Sequence, residues 1–289
     1  MAVVLTTVVS GILLGLMYGL TGMGLTFTMG FGKTMNVAQG TLIILGAFFA
    51  LTFFNAWHLN VIVLVILVMV LFGVLAGLLN LSLLRFLRDK SEIITLLVLF
   101  GVAEVIENVT SWIWTGNLQA MTIPTLQNSI QWGSLSLPKT DLVSAAIAVV
   151  ATGVLYLFLQ YTYLGKAIRA SAQSDLYARI LGVNTSQIRA IIFLIGLVLA
   201  GIAGVTVALL FPFAPQDQDQ WLVMAFIVVV VGGIDNILST LLAGLVIGVA
   251  QALAGLVVPF QDQNLILYAF LAIALLFRNN QLARRMRSL

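Results

Sequence analysis

Residues 60–84 read NVIVLVILVMVLFGVLAGLLNLSLL, and Arg85 is the first charge to follow. Crossing the hydrocarbon core of a bilayer takes about 20 consecutive apolar residues in helical form. This run supplies them. It does not alternate between polar and apolar positions, so it is not a strand of a membrane barrel. Runs of the same kind lie near 5–30, 37–57, 93–115, 140–162, 189–211, 221–235, 238–258 and 263–278. The reading is an all-α integral membrane protein, a polytopic helical bundle of about 8–9 transmembrane segments. The run at 221–235 is short and has Gly232-Gly233 near its end. It is expected to be a tilted, broken or re-entrant segment paired with the one after it.

The composition of the whole chain agrees. Its 289 residues are 61% hydrophobic and 8% charged, with a mean hydropathy of +1.13. Soluble domains are about half apolar and about a quarter charged. A fold with so few charges is solvated mainly by lipid. There is no Cys, which excludes disulfides, thiol catalysis and Cys-based metal sites. The single His, His58, cannot make a histidine metal cluster and sits at an interfacial position. No cofactor is expected.

The basic residues set the orientation. Lys33 follows the first span; Arg85, Arg88 and Lys90 follow the third. Lys166, Arg169, Arg179 and Arg189 follow the fifth, and Arg278, Arg284, Arg285 and Arg287 follow the last. These connections share one side of the membrane and hold every one of the 13 basic residues except Lys139. The positive-inside rule makes that side cytoplasmic, with the N-terminus outside and the C-terminus inside. The prolines (124, 138, 212, 215, 259) and the tryptophans (57, 112, 114, 132, 221) gather in or near the outer boundary. Indole rings prefer that level. The basic balance, with a pI near 9.4, is therefore a topology signal and not a nucleic-acid surface. The first span lacks a charged leader region and is too long for a signal peptide, so it is kept as a helix.

A single membrane domain over 1–289 is expected, without a soluble domain. The long outer connection is about 116–139. The long inner one, about 163–188, mixes Ala167, Ile168, Leu176, Ile180 and Leu181 with Lys166, Arg169, Asp175 and Arg179. That pattern predicts one or two short amphipathic helices on the cytoplasmic face. Small residues recur every four positions at Gly11, Gly15 and Gly19, at Gly196, Ala200 and Gly204, and at Gly244 and Gly248. Such stripes let helix backbones approach closely in lipid. Gly32-Lys33-Thr34 imitates the end of a phosphate-binding loop, but position 27 is Phe where that loop needs Gly. The chain is expected to carry no ATPase of its own. The sequons at Asn108 and Asn184 fall in a span and on the cytoplasmic side, where neither is used.

Glu104 lies at the centre of the 93–115 run, with Glu107, Asn108, Ser111 and Thr115 after it. The spacing places them on one helical face. A charge near the bilayer centre costs about 2.5–3.5 kcal/mol on insertion scales. Both carboxylates are thus expected to face inward, lining a translocation path or joining a structural polar network.

The stretch from Gly15 to Ala47, GLMYGLTGMGLTFTMGFGKTMNVAQGTLIILGA, resembles the opening of permease subunits of branched-chain amino acid ABC importers. Asn36, Ala38 and Gly40 match that family's INFAHG-like segment, while Val37 and Gln39 depart from it. In the inner connection Gly165, Arg169, Ala170, Ala178, Gly182, Val183 and Asn184 fall on a GRAxRA…AxxxGIN-like pattern. Val231-Gly232-Gly233-Ile234 resembles the LGGIGS-like stretch, with Asp235-Asn236 in place of small residues. The resemblance spans nearly the whole chain, and its motifs are shared with sugar, nucleoside and urea permeases. It implies two cytoplasmic ATPase subunits, a second permease subunit, identical or homologous, and an extracytoplasmic solute-binding protein. It places ATPase coupling at Arg169, Ala178, Arg179, Gly182 and Asn184. Ala178 and Gly182 would offer a close-approach surface, and Arg169, Arg179 and Arg189 would meet a partner's acidic rim. It adds Asn36 to Glu104, Glu107 and Asn108 as path residues.

The expected function is that of a multi-pass permease subunit in a prokaryotic plasma membrane, importing branched-chain or hydrophobic amino acids. Urea or amides, nucleosides and simple sugars are the alternative solutes. A proton-coupled secondary transporter using Glu104 and Glu107 is the alternative of another class. Inverted halves, frequent in that class, are not legible in the sequence.

Overall fold

The computed structural model describes residues 2–80, 90–132, 135–234 and 236–256, with Ala269 and Ala272. Helix α1, Ala2–Thr26, runs on into a π-helical turn, Phe27–Phe31. Then come α2 (Gln39–Trp57), α3 (Val61–Leu79) and α4 (Glu92–Trp114). A two-stranded hairpin, β1 Ser129–Trp132 and β2 Leu135–Pro138, precedes α5 (Lys139–Tyr161). Two short helices follow, α6 (Tyr163–Gln173) and α7 (Asp175–Ile180). The described chain finishes with α8 (Thr185–Leu210), α9 (Gln218–Gly232) and α10 (Ile237–Ala254). Seven of the described helices are long and apolar enough to cross a membrane: α1 to α5, α8 and α10. The span expected at 263–278 falls outside the described residues, apart from two isolated alanines.

The short run near 221–235 is resolved by α9. It has 15 residues, about 22 Å at 1.5 Å per residue, too short for a hydrocarbon core of about 30 Å. It also begins inside the bundle. A methyl group placed on Gly40, in the first turn of α2, would lie 2.1 Å from the Gln218 carbonyl oxygen and 2.8 Å from the Leu222 nitrogen. The N-termini of α2 and α9 therefore abut. Each follows a long helix by a short connection, 32–38 after the π turn and 211–217 after α8.

The two long helices are antiparallel. Gly24 lies near Gly196, and Gly32 lies near Ile192. Helix α1 runs against α9 and α10, as α8 runs against α2 and α3. The path through α1, α2 and α3 is thus repeated, inverted, by α8, α9 and α10. An inverted pair with interrupted helices at its centre is a frequent transporter plan. It is invisible in the sequence because only backbone direction and contact are repeated, not residues.

Glycine sets the distance between helices. Gly11, Gly15 and Gly19 of α1 face Gly244 and Gly248 of α10 in an antiparallel seam. A methyl group on Gly15 would lie 2.6 Å from Leu245 Cα, and one on Gly244 would lie 2.3 Å from the Gly19 nitrogen. Nothing larger than hydrogen fits there. The gain is close backbone contact, the main source of helix association in lipid, where apolar burial supplies little drive. The Thr26 and Thr240 hydroxyls bond at 3.0 Å across the same pair of helices. Around this framework Phe27, Phe48, Phe72 and Phe213 are fully buried. Phe48 meets Phe213 edge-on, ring centroids 5.0 Å apart.

Replacing Gly244 with Leu should destabilise the purified protein by about 1–3 kcal/mol, the cost of forcing volume into a close-packed seam. Gly73→Ala, in α3 with no atom within 4 Å of its added methyl, should leave the melting temperature unchanged or raise it. Thermal unfolding in detergent of both variants is the check.

Candidate functional site

The abutting ends of α2 and α9 bring several polar groups together inside the bundle. On the α9 side the groups are joined. The Thr41 hydroxyl donates to Gln218 Oε1, and Gln218 Nε2 donates to Glu107 Oε2. This relay links α2, α9 and α4. Gln218 and Thr41 are buried. The dipole end of α9 is also met by acid. Asp217 precedes its first residue and Asp219 lies in its first turn; Asp217 Oδ2 accepts the Ala214 N–H at 2.7 Å. Acidic groups at a helix N-terminus offset its partial positive charge. Beyond this point Phe213 and Gln119 exchange backbone hydrogen bonds of 2.8 and 2.9 Å, which pins the connection to the loop after α4.

The α2 side differs. Its N-cap, Ala38, has no side chain able to cap, and its first turn holds no acidic residue. Gln39 donates its backbone N–H to the Asn36 carbonyl at 3.3 Å. The side chains of Asn36 and Gln39 are fully buried, and their amide oxygens and nitrogens have no hydrogen-bond partner. An unsatisfied buried polar atom costs about 1–3 kcal/mol.

Of the expected path residues, Glu107 is brought into the relay and Asn36 into the buried connection. Glu104 and Asn108 do not join them. Both are exposed on the single chain, and the Asn108 amide donates to the Glu104 carbonyl at 2.8 Å. On the single chain the two glutamates part: Glu107 bonds Gln218 of α9 and Glu104 is exposed. Positions three apart are offset by about 60° around a helix, enough here to turn Glu107 to α9 and Glu104 outward. Gln39 stood out in the sequence only as a departure from the family pattern, and Thr41 and Gln218 were not singled out. The available signal was a cluster of amides in the connections next to two spans.

The second candidate region is the connection between α5 and α8. Thr162 caps α6 by accepting the Gly165 N–H at 2.9 Å. Asp175 accepts from Ser171 at 3.0 Å and from Arg189 at 2.9 Å. Helix α7 ends in a Schellman turn: Gly182 donates to the Arg179 carbonyl and Val183 to the Ala178 carbonyl, both at 2.9 Å. Gly182 has φ +81°, which explains the glycine by conformation. Asn184 Oδ1 accepts the Gln187 N–H at 3.3 Å and starts α8.

Four of the residues expected to meet a partner are placed by the structure. Ala178 is buried, at 1% exposure, because it lies on the face of α7 turned to the bundle. It offers no surface to a partner. Arg179 and Arg189 bond within the chain to Thr185 and Asp175, and Arg169 to Gln160, while Arg179 stays exposed. The outward face of α7 and its end is apolar instead. Leu176, Tyr177, Ile180 and Leu181 are each about two-thirds or more exposed, from 66% to 78%.

The chain matches, over residues 7–277, the model of the permease component of branched-chain amino acid transport systems. It belongs to that family. It is 27% identical over 283 residues to the high-affinity branched-chain amino acid transport permease LivH of Escherichia coli K12, covering 92% of this chain and 91% of that one. It is 27% identical over 289 residues to the permease BraD of Pseudomonas aeruginosa, covering 95% and 94%. A probable LivH of Methanocaldococcus jannaschii is 26% identical over 247 residues, covering 81% and 76%. No solved structure matches. The chain is a multi-pass plasma-membrane permease subunit of the ABC-transporter type.

Gln218→Leu breaks both bonds of the relay and should cost about 1–3 kcal/mol of stability. In a double-mutant cycle, adding Thr41→Val should then cost less than it does alone, because its acceptor has gone. Thermal unfolding of the four proteins measures the coupling.

Proposed function

We propose that this chain is the membrane subunit through which an ATP-driven importer passes branched-chain or other hydrophobic amino acids. In this reading two cytoplasmic ATPases drive it, a second permease subunit completes it, and an extracytoplasmic binding protein delivers the solute. The side holding the basic residues is cytoplasmic, the N-terminus outside and the C-terminus inside. The relatives' names supply the solute class. The observation that carries the partner assignment is the apolar face of α7: Leu176, Tyr177, Ile180 and Leu181 lie exposed on the side rich in basic residues. An apolar patch on a short surface helix is covered by a partner rather than by water.

A mechanical route runs from that face to the bundle. A partner that moves α7 pulls on Asp175, and through the Arg189 bond on α8. Helix α8 runs past Gly24 to the start of α2, and Gly204 of α8 presses on α2 at the Ile43 carbonyl. A shift of α8 therefore reaches the junction of α2 and α9. That junction, with Glu107, Asn36 and the outward Glu104 and Asn108, lines the path. Exposed Glu104 supports the second subunit, because a carboxylate facing lipid at this depth costs about 2.5–3.5 kcal/mol. A neighbouring permease, or a watered path between the two, takes the place of lipid against α4.

The test is co-purification with the ATPase, second permease and binding protein, followed by hydrolysis and uptake in proteoliposomes. Leucine-loaded binding protein should raise hydrolysis. Tyr177→Asp with Ile180→Asp should abolish ATPase association and leave the melting temperature of the permease unchanged. Glu104→Gln with Glu107→Gln should slow uptake; unchanged kinetics would remove both from the path. Stimulation by urea or a nucleoside instead of leucine changes the solute class. Uptake by this chain alone, following a proton gradient, replaces the importer with a secondary transporter.

A further inference from the structure

The junction of α2 and α9 is electrostatically lopsided. Two helix N-termini converge in the interior, each carrying about half a positive charge. Asp217 and Asp219 stand at the α9 end, and Glu107 reaches it through Gln218. The α2 end has no acidic residue in its first turn and no side-chain cap. Helical geometry leaves its leading N–H groups without partners of its own. Next to it, Asn36 and Gln39 hold fully buried amides with no hydrogen-bond partner. Gln39 is the first residue of α2, and its amide nitrogen rests where a side chain at Gly24 would be, 2.5 Å from that virtual methyl. The Gly196 carbonyl oxygen is 3.0 Å from the same point, and Gly196 lies midway along α8. The amide is therefore parked in the seam between α1 and α8, the helices that a movement of α7 would disturb.

We propose that the N-terminus of α2, with the side-chain amides of Asn36 and Gln39, is a transient binding site for the carboxylate of the transported solute. This rests on the permease reading above. Uncapped N–H groups and amide N–H groups are donors, and a helix N-terminus favours an anion. The same chemistry is used wherever interrupted helices meet an anionic solute group inside a membrane. A branched-chain amino acid brings one carboxylate and an apolar side chain. Leu42 and Ile43, in the first two turns of α2, are buried apolar side chains. In the state described here the seam is closed and the amides are idle. When α8 moves off α1 and α2, they become available to the solute, and the bonds they then make favour the open seam. Unsatisfied groups in one state that are satisfied in another are what couples a ligand to a conformational change.

The test uses the complete complex in proteoliposomes, with radiolabelled leucine as solute. Asn36→Ala and Gln39→Leu each remove donors without adding charge. Each should lower leucine uptake by about tenfold or more, the loss expected for a hydrogen bond to a charged group. Assembly, read by size-exclusion chromatography, should persist. Gln39→Asp places a fixed carboxylate at the helix end. It should raise or preserve the melting temperature, through the helix dipole, and still abolish leucine uptake. A purely structural role predicts the opposite pairing, with loss of transport following loss of stability. Wild-type uptake by Gln39→Asp overturns the carboxylate site, and so does wild-type uptake by both neutral variants. If the unaltered complex moves no leucine with ATP, the permease reading for amino acids fails, and this site falls with it.

Discussion

Two helices of this protein begin inside the bundle rather than at its surface, and every backbone donor there needs a protein partner. Lipid offers none, so irregular backbone within a membrane is tolerated only where protein surrounds it or a cavity adjoins it. The architecture follows from that requirement. Helices α1 and α8 are long because they enclose the short connections. Phe48 and Phe213 seal one connection, and the Gln119–Phe213 backbone pair ties it to the loop after α4. The glycine seams bring the surrounding helices close enough to leave no room for lipid tails.

The two connections solve the problem differently. The one before α9 is internally satisfied, with acidic residues at the helix end and a relay through Gln218 to Glu107. The one before α2 is bonded through the Lys33, Thr34 and Gln39 N–H groups and the Thr34 hydroxyl, and leaves two side-chain amides without partners. The Schellman turn at Gly182 and the cap at Asn184 fix the backbone between α7 and α8. Gly182 and Asn184, family pattern positions, are explained there by backbone geometry, and α7 keeps an apolar side exposed.

Much of this was legible beforehand. The runs at 5–30, 37–57, 93–115, 140–162 and 238–258 match described spans to within a few residues or less. The run at 189–211 begins late because Asn184 caps α8 ahead of the first apolar residues. The stripes at Gly11, Gly15 and Gly19 and at Gly244 and Gly248 meet each other in the fold. The site was legible only in part. Asn36 and Glu107 stood out, one by pattern and one as an ionisable group in a span. Gln39 stood out only as a departure from the family pattern, Thr41 and Gln218 did not stand out, and Ala178 lies on the buried face of its helix.

The sequence by itself determined the solvent, the element type, most span boundaries and the distribution of basic charge. Those are one-dimensional quantities: hydropathy over about 20 residues and the sign of each connection. Only the tertiary structure decided which polar groups meet. Thr41 and Gln218 are 177 positions apart, and nothing local relates them. It also decided that α9 starts inside the bundle, that α1–α3 and α8–α10 are inverted copies, and that Glu104 and Glu107 part company. These depend on where helices cross, and crossing is set by close contact between small residues on different helices, which no single stretch of chain contains.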